Sequence, residues 1–164
     1  MTDTTLDGAL RATPDGRAVR FEREYPTGLH DLWSALTEPA RVARWLDRIT
    51  GDLRVGGRVT VHFDDGPGEL EVVACDSPRM LATRWLDASR DSLVTVRLTE
   101  LAADRTLLVL DHTALTETSA AGYAAGWHWH LDALRAHLDG EQPPEWAETF
   151  EVLLAGYRQV TPAS

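Results

Sequence analysis

His112 is the side chain in this 164-residue sequence that is best placed to do chemistry. It closes the alternation Leu108, Leu110, His112, so its ring should share a strand face with the two leucines. An imidazole turned into an apolar space can donate to a ligand carbonyl or serve as acid or base near neutral pH. The same pattern also fits a core histidine satisfied by a backbone carbonyl or a hydroxyl. Trp45, Trp85, Tyr123 and Trp127 recur at strand or helix spacing and are candidates to line the same space. Phe63, Val96, Leu110 and His130 complete the expected wall. Pockets of ~300–1,000 Å³ with aromatic walls and few polar groups suit small apolar ligands.

Other reactive residues carry less. His128 and His130 flank Trp129 like a ligand pair, but helical residues two apart diverge by ~200° and do not share one metal. No metal site is therefore expected. His130 falls within reach of Tyr123 or Asp111, or faces water. Cys75, beside Asp76, lacks a cationic neighbour and reads as an inert strand residue. Asp64 and Asp65 read as turn chemistry, and Arg84 and Arg97 as solvated charges on the outer face of the sheet. The sequence has no Cys-x-x-Cys, His-Glu-x-x-His or Gly-x-Ser-x-Gly, and no Gly-x-Gly-x-x-Gly after a strand. It thus names no catalytic residue and no cofactor, and leaves open whether any reaction follows.

Composition narrows the classes further. There is no lysine, which removes Schiff-base and pyridoxal-phosphate enzymes, Walker-type phosphate binding and kinases. With 26 acidic and 16 basic residues the formal charge is -10, and the arginines are scattered. Such a surface repels phosphate backbones and anionic membranes, so neither nucleic acid nor membrane is an expected partner. No segment approaches the ~18 apolar residues of a membrane span. The first residues are polar and acidic, unlike a secretory signal, and one cysteine makes no internal disulfide. A cytoplasmic location is the expectation.

The elements that must position these residues follow from periodicity. Residues 1–16 lack a pattern and are expected as a flexible lead-in. Residues 17–25 alternate as a first strand. Thr27 is the expected N-cap of a helix with Leu29, Leu32, Trp33 and Leu36 on one face, and Pro39 opens a second short helix with Val42, Trp45 and Leu46 inside. Val59, Val61 and Phe63 alternate, and residues 64–68 turn the chain into a strand over 69–75. Leu81, Thr83 and Trp85 alternate next, and residues 93–101 and 106–114 form a second hairpin around 102–105. Short consecutive strands predict an antiparallel sheet with one buried face, and so an α+β fold. A long helix over 119–138 covers that face with Tyr123, Trp127, Leu131, Leu134 and Leu138. His130 and His137 lie at the edge of this stripe, and His128 and Trp129 outside it. A tail helix over 145–159 carries Trp146, Phe150, Leu153, Leu154 and Tyr157, and is expected against the outer side of the domain or a second subunit. The main domain then spans 17–139 and the tail 140–164.

These residues resemble a known family. The run from Leu32-Trp33-Ser34 to Glu38-Pro39, then Arg44-Trp45 and Val55-Gly56-Gly57-Arg58, is similar to the opening of bacterial START-related helix-grip (SRPBCC) proteins. The branch is that resembling the C-terminal domain of the activator of the heat-shock-protein-90 ATPase. Pro78-Arg79-Met80-Leu81 to Trp85, the strand ending in His112, and Gly126-Trp127 to Leu131 and Leu134 continue the likeness, over roughly residues 17–139. The resemblance implies a curved antiparallel sheet wrapped around a long C-terminal helix, with a cavity between them. The wider superfamily includes lipid and hormone carriers, polyketide aromatase/cyclases and ring-hydroxylating oxygenase domains, and its branch shares no catalytic set. The sequence has no counterpart of the extra N-terminal domain with which the eukaryotic co-chaperone holds its client, and the tail helix is an addition.

Three functions are consistent with this reading. One is binding of a small hydrophobic or aromatic molecule between sheet and long helix. The second is a polyketide cyclase- or dehydratase-like enzyme using His112 and Tyr123. The third is a regulatory or chaperone-partner protein acting through its surface, with a homodimer through the tail helix among its expected contacts.

Overall fold

The chain folds as an eight-stranded antiparallel sheet with four helices, seen in a computed structural model that describes residues 5–164. Strands β1 (Ala9–Thr13) and β2 (Gly16–Tyr25) precede helices α1 (Leu29–Thr37) and α2 (Pro39–Trp45). A meander follows through β3 (Ile49–Gly51), β4 (Arg58–Phe63), β5 (Gly66–Asp76), β6 (Met80–Leu86), β7 (Ser92–Ala102) and β8 (Arg105–Leu115). The long helix α3 (Ala120–Leu138) and the tail helix α4 (Trp146–Arg158) close the fold. The spatial order is β1-β2-β8-β7-β6-β5-β4-β3, so the meander runs back until its last strand meets β2. This is the α+β helix-grip arrangement expected from the sequence.

Alternation decides which side of each strand is buried. On β8, Thr106, Leu108, Leu110 and His112 face inward, and Arg105, Leu107, Val109 and Asp111 face outward or are half-buried. Val19 on β2 and Val94 on β7 stand opposite His112, forming one inward row across the three central strands. Arg84 and Arg97 lie on the exposed face, as expected.

Four details differ from the sequence reading. Of the expected lead-in, residues 1–4 lie outside the described residues, while Ala9–Thr13 is an edge strand paired with β2. Its outer edge is closed by Ala163, whose N–H donates to Leu10 O (3.0 Å) and whose carbonyl accepts from Ala12 N (2.7 Å). The first hairpin is tighter than expected, because Phe63 already pairs with Gly66 and only Asp64 and Asp65 form the turn. Gly28, not Thr27, is the N-cap of α1; the Thr27 hydroxyl instead donates to Asp31 Oδ2 at 2.6 Å. His128 is buried although it lies off the Trp127 stripe, because α3 is covered on two sides. The sheet takes Trp127, Leu131 and Leu134, while α4 lays Leu153 and Tyr157 against the other flank. The tail helix thus spends its apolar face on its own domain.

Two polar ties lock α3 to β2. The Tyr25 hydroxyl donates to Leu131 O at 2.9 Å in the core. Arg23, on the inward side of its strand, donates to Asp132 of α3 and to both carboxylate oxygens of Asp7. Burial opposes the charge on Arg23, but its hydrogen bond to Asp7 and the nearby carboxylate charges outweigh that and hold the guanidinium ionised. Replacing Arg23 by Ala strands Asp132 and Asp7 beside the core. The expected loss is about 2 kcal/mol in urea unfolding, less than for a fully buried pair because both carboxylates are more than a third exposed. In the background of Asp132→Asn the same replacement should cost distinctly less.

Candidate functional site

The sequence-predicted wall divides between two spaces. Trp45, Trp85, Val96, Leu110 and Trp127 help to line an apolar cavity of about 70 Å³ between sheet and long helix. Phe63, Trp85, Tyr123, Trp127 and His130 line a larger open groove of about 460 Å³. Trp85 and Trp127, with ring centres 5.6 Å apart in an edge-to-face pair, belong to both walls and stand between them. The inner cavity is well below the ~300 Å³ at which ligand sites begin, and has room for little more than a water or two. The expected hollow in the core is therefore nearly filled, and the usable space lies at its mouth.

His112 reaches neither space. It is fully buried, and both ring nitrogens are engaged. Trp127 Nε1–H donates to Nδ1 at 2.9 Å, which makes Nδ1 the acceptor and places the proton on Nε2, 2.8 Å from Ser92 Oγ. Tyr123 packs edge-on against the ring, with centres 4.5 Å apart. Desolvation pushes the imidazole down to about 3, so it stays neutral. With no lone pair and no proton to spare, His112 stands in the arrangement of a satisfied core histidine.

The groove is built from four elements. Its floor is one face of α3, where Gly122, Tyr123, Gly126, Trp127 and His130 follow each other at helical spacing. A Cβ added at Gly122 or Gly126 would meet no atom within 4 Å. One side is the β4–β5 hairpin with Phe63, Asp65, Gly66 and Glu69, together with Trp85 and Asp87 at the end of β6. The other side is α4, through Trp146 and Phe150, whose rings stack at 4.8 Å. A second lobe of about 320 Å³ shares Phe63, Asp65, His130 and Trp146 with the groove and adds Asp47, Asp64 and Trp129.

Two polar handles stand on this floor. His130 bonds neither Tyr123 nor Asp111; its Nδ1–H donates to Trp45 O at 2.9 Å. Its Nε2 has no partner among the described residues and remains a lone-pair acceptor. Burial lowers the affinity of this ring for a proton, against the opposing effect of the Trp45 carbonyl, so it is a neutral imidazole. The Tyr123 hydroxyl also has no protein partner, and burial, aided by the negative charge of Asp87, keeps it a protonated phenol. The face thus presents a donor and an acceptor seven residues apart, about 10 Å along the helix axis. His128 points the opposite way, its Nδ1 2.8 Å from the Tyr157 hydroxyl, so the two histidines do not converge. Cys75 is exposed on β5, away from both spaces.

The sequence reading missed Gly122, Trp146 and Phe150 and assigned Gly126 no part in the site. A signal was present: two glycines at i, i+4 inside a helix cost about 1 kcal/mol each relative to alanine, and a purely structural helix has no use for them.

The family model of Activator of Hsp90 ATPase homolog 1-like protein matches residues 26–139. This chain belongs to that family. Among solved structures, the crystal structure of CalU16 from Micromonospora echinospora shares 29% identity over 92% of this chain and 93% of that one, with a TM-score of 0.76. DynU16, a protein in the dynemicin biosynthetic locus, shares 27% identity with a TM-score of 0.70 over 79% of this chain, which spans 49% of DynU16. The Aha1 dimer from Colwellia psychrerythraea, at 16% identity over 74% of this chain and 95% of that one, shares the fold with a TM-score of 0.68. No curated protein matches the sequence. Among the described residues, no helix is long and apolar enough to cross a membrane.

The His112 arrangement has a measurable consequence in acid. Its proton affinity is lower in the folded chain than in the unfolded one, so its contribution to stability is complete above pH ~6.5 and is lost as pH falls toward 3. Within that window each pH unit should cost up to about 1.4 kcal/mol from this group alone. Urea unfolding of the protein and of His112→Gln between pH 7.5 and 4.5 should show a shallower acid limb for the variant. An NMR titration should show no protonation of His112 above pH 5.

Proposed function

We propose that this member of the family binds a small aromatic or hydrophobic molecule in the groove between α3, α4 and the β4–β5 hairpin. The observation that carries the reading is the glycine pair on the floor. Gly122 and Gly126 occupy interior positions of α3, carry the helix cost of glycine, and face open space with no close-packed neighbour. Side chains at these positions would occupy the volume that Trp85, Trp127, Phe63 and Trp146 frame. Tyr123 and His130 supply one donor and one acceptor for orientation, which is the small polar complement such sites use.

A reaction is less well supported. His112 is locked, and Tyr123 and His130 lie two helical turns apart, too far to act together on one reacting atom within hydrogen-bond reach. The similarity to DynU16, a protein of a biosynthetic locus, favours a partner among small molecules over a protein client. The tail helix enters as the outer wall of the groove, with Leu153 and Tyr157 packed on α3.

Native mass spectrometry of the freshly purified protein should detect a bound small molecule that is lost on denaturation. The structural test is Gly126→Leu. It should weaken binding of an aromatic probe such as 1-naphthylmethanol at least tenfold, while helix propensity leaves the melting temperature unchanged or raises it by about 2 °C. Unchanged probe affinity in a folded Gly126→Leu protein would remove the groove as the site.

A further inference from the structure

Resting on that reading, the geometry points to the chemical class of the ligand: we infer that the groove and its second lobe take an aromatic molecule bearing a protonated amine. Four aspartates, Asp47, Asp64, Asp65 and Asp87, are among the residues that line the groove and its second lobe, and no arginine is. None of the four makes an ion pair among the described residues, although arginines elsewhere are largely paired with acidic neighbours, as Arg20 with Glu22 and Asp111, Arg41 with Asp31, and Arg84 with Glu71. The imbalance is local to the site and adds to the overall charge of -10. Unpaired charges of one sign around a concave, partly dry surface concentrate the opposite charge there.

The aromatic walls select the same kind of guest. Phe63, Trp129 and Trp146 enclose the smaller lobe beside Asp47, Asp64 and Asp65. Trp129 and Trp146 meet edge-to-face with centres 4.9 Å apart, leaving indole surface next to the carboxylates. An ammonium group is attracted both by aromatic faces and by carboxylates, while an anion is repelled by both. The shared wall also holds unmet polar capacity: His130 Nε2 is an unused acceptor that an N–H of the amine can fill. The wider groove takes the ring system and the acidic lobe takes the amine.

A matched set of probes tests this: 1-naphthylmethylamine, 1-naphthylmethanol and 1-naphthylacetate, titrated into the full-length protein at pH 7 by calorimetry or naphthalene fluorescence. The amine should bind about tenfold more tightly than the alcohol at low salt, and the acetate more weakly than the alcohol. The advantage of the amine should shrink at 0.2 M salt. Asp64→Asn/Asp65→Asn keeps residues suited to the hairpin turn; it should bring the amine close to the affinity that the alcohol shows in the same variant. If the alcohol binds but the amine gains nothing, or if the gain survives in the double variant, the cation assignment falls and the groove stands. If no probe binds the folded protein, both fall.

Discussion

The bond from Trp127 Nε1 to His112 Nδ1 sets the rotation of the long helix about its own axis, and most of the molecule depends on that angle. With Trp127 turned to the sheet, the helical repeat sends His128 toward Tyr157 on the far flank. It brings His130 under the Trp45 carbonyl and lays Gly122 and Gly126 along the open side. His112 is suited to hold this position because Ser92 takes its other nitrogen, leaving no buried polar atom without a partner in the chain Trp127–His112–Ser92. A leucine at 112 would fill the volume without fixing the angle.

The division of the interior follows from the same contact. Trp85 and Trp127 are held close, and together they separate a nearly filled core from an open mouth. A grip of sheet around helix does not by itself leave space. Here the space arises where α3 carries glycine instead of a side chain and where α4 approaches without closing over it.

Much of this architecture was legible in the sequence. Alternation over residues 58–63, 81–85 and 106–112 is clear because the sheet has one wet and one buried face, and the 3.6-residue repeat of the long helix is clear for the same reason. The edge strands were not: Ala9–Thr13 buries one apolar side chain, Leu10, and Ile49–Gly51 has three residues, too few for a period to show. His112 falls on the expected face of β8, but its bonding is not legible from the strand alone. Its partner Trp127 is on another element, and no spacing reveals how a helix is rotated over a sheet. His128 was read as peripheral because a single stripe was assumed, whereas α3 is covered from two directions. Trp129, outside the stripe, is covered by Trp146 of the tail; that the same pair also forms the wall of an acidic lobe depends on where the β4–β5 turn comes to rest.

The closure of the first strand by Ala163 bears on how the tail helix is held. The far end of the tail helix is tethered three times: Tyr157 to His128, Gly8 N–H to the Tyr157 hydroxyl, and Ala163 to Leu10 and Ala12. Its near end carries only ring contacts, with Trp146 against Trp129 and His130. The amino-terminal strand, remote in sequence, therefore fixes the end of α4 that lies away from the groove, while Trp146 holds the other end through its rings alone.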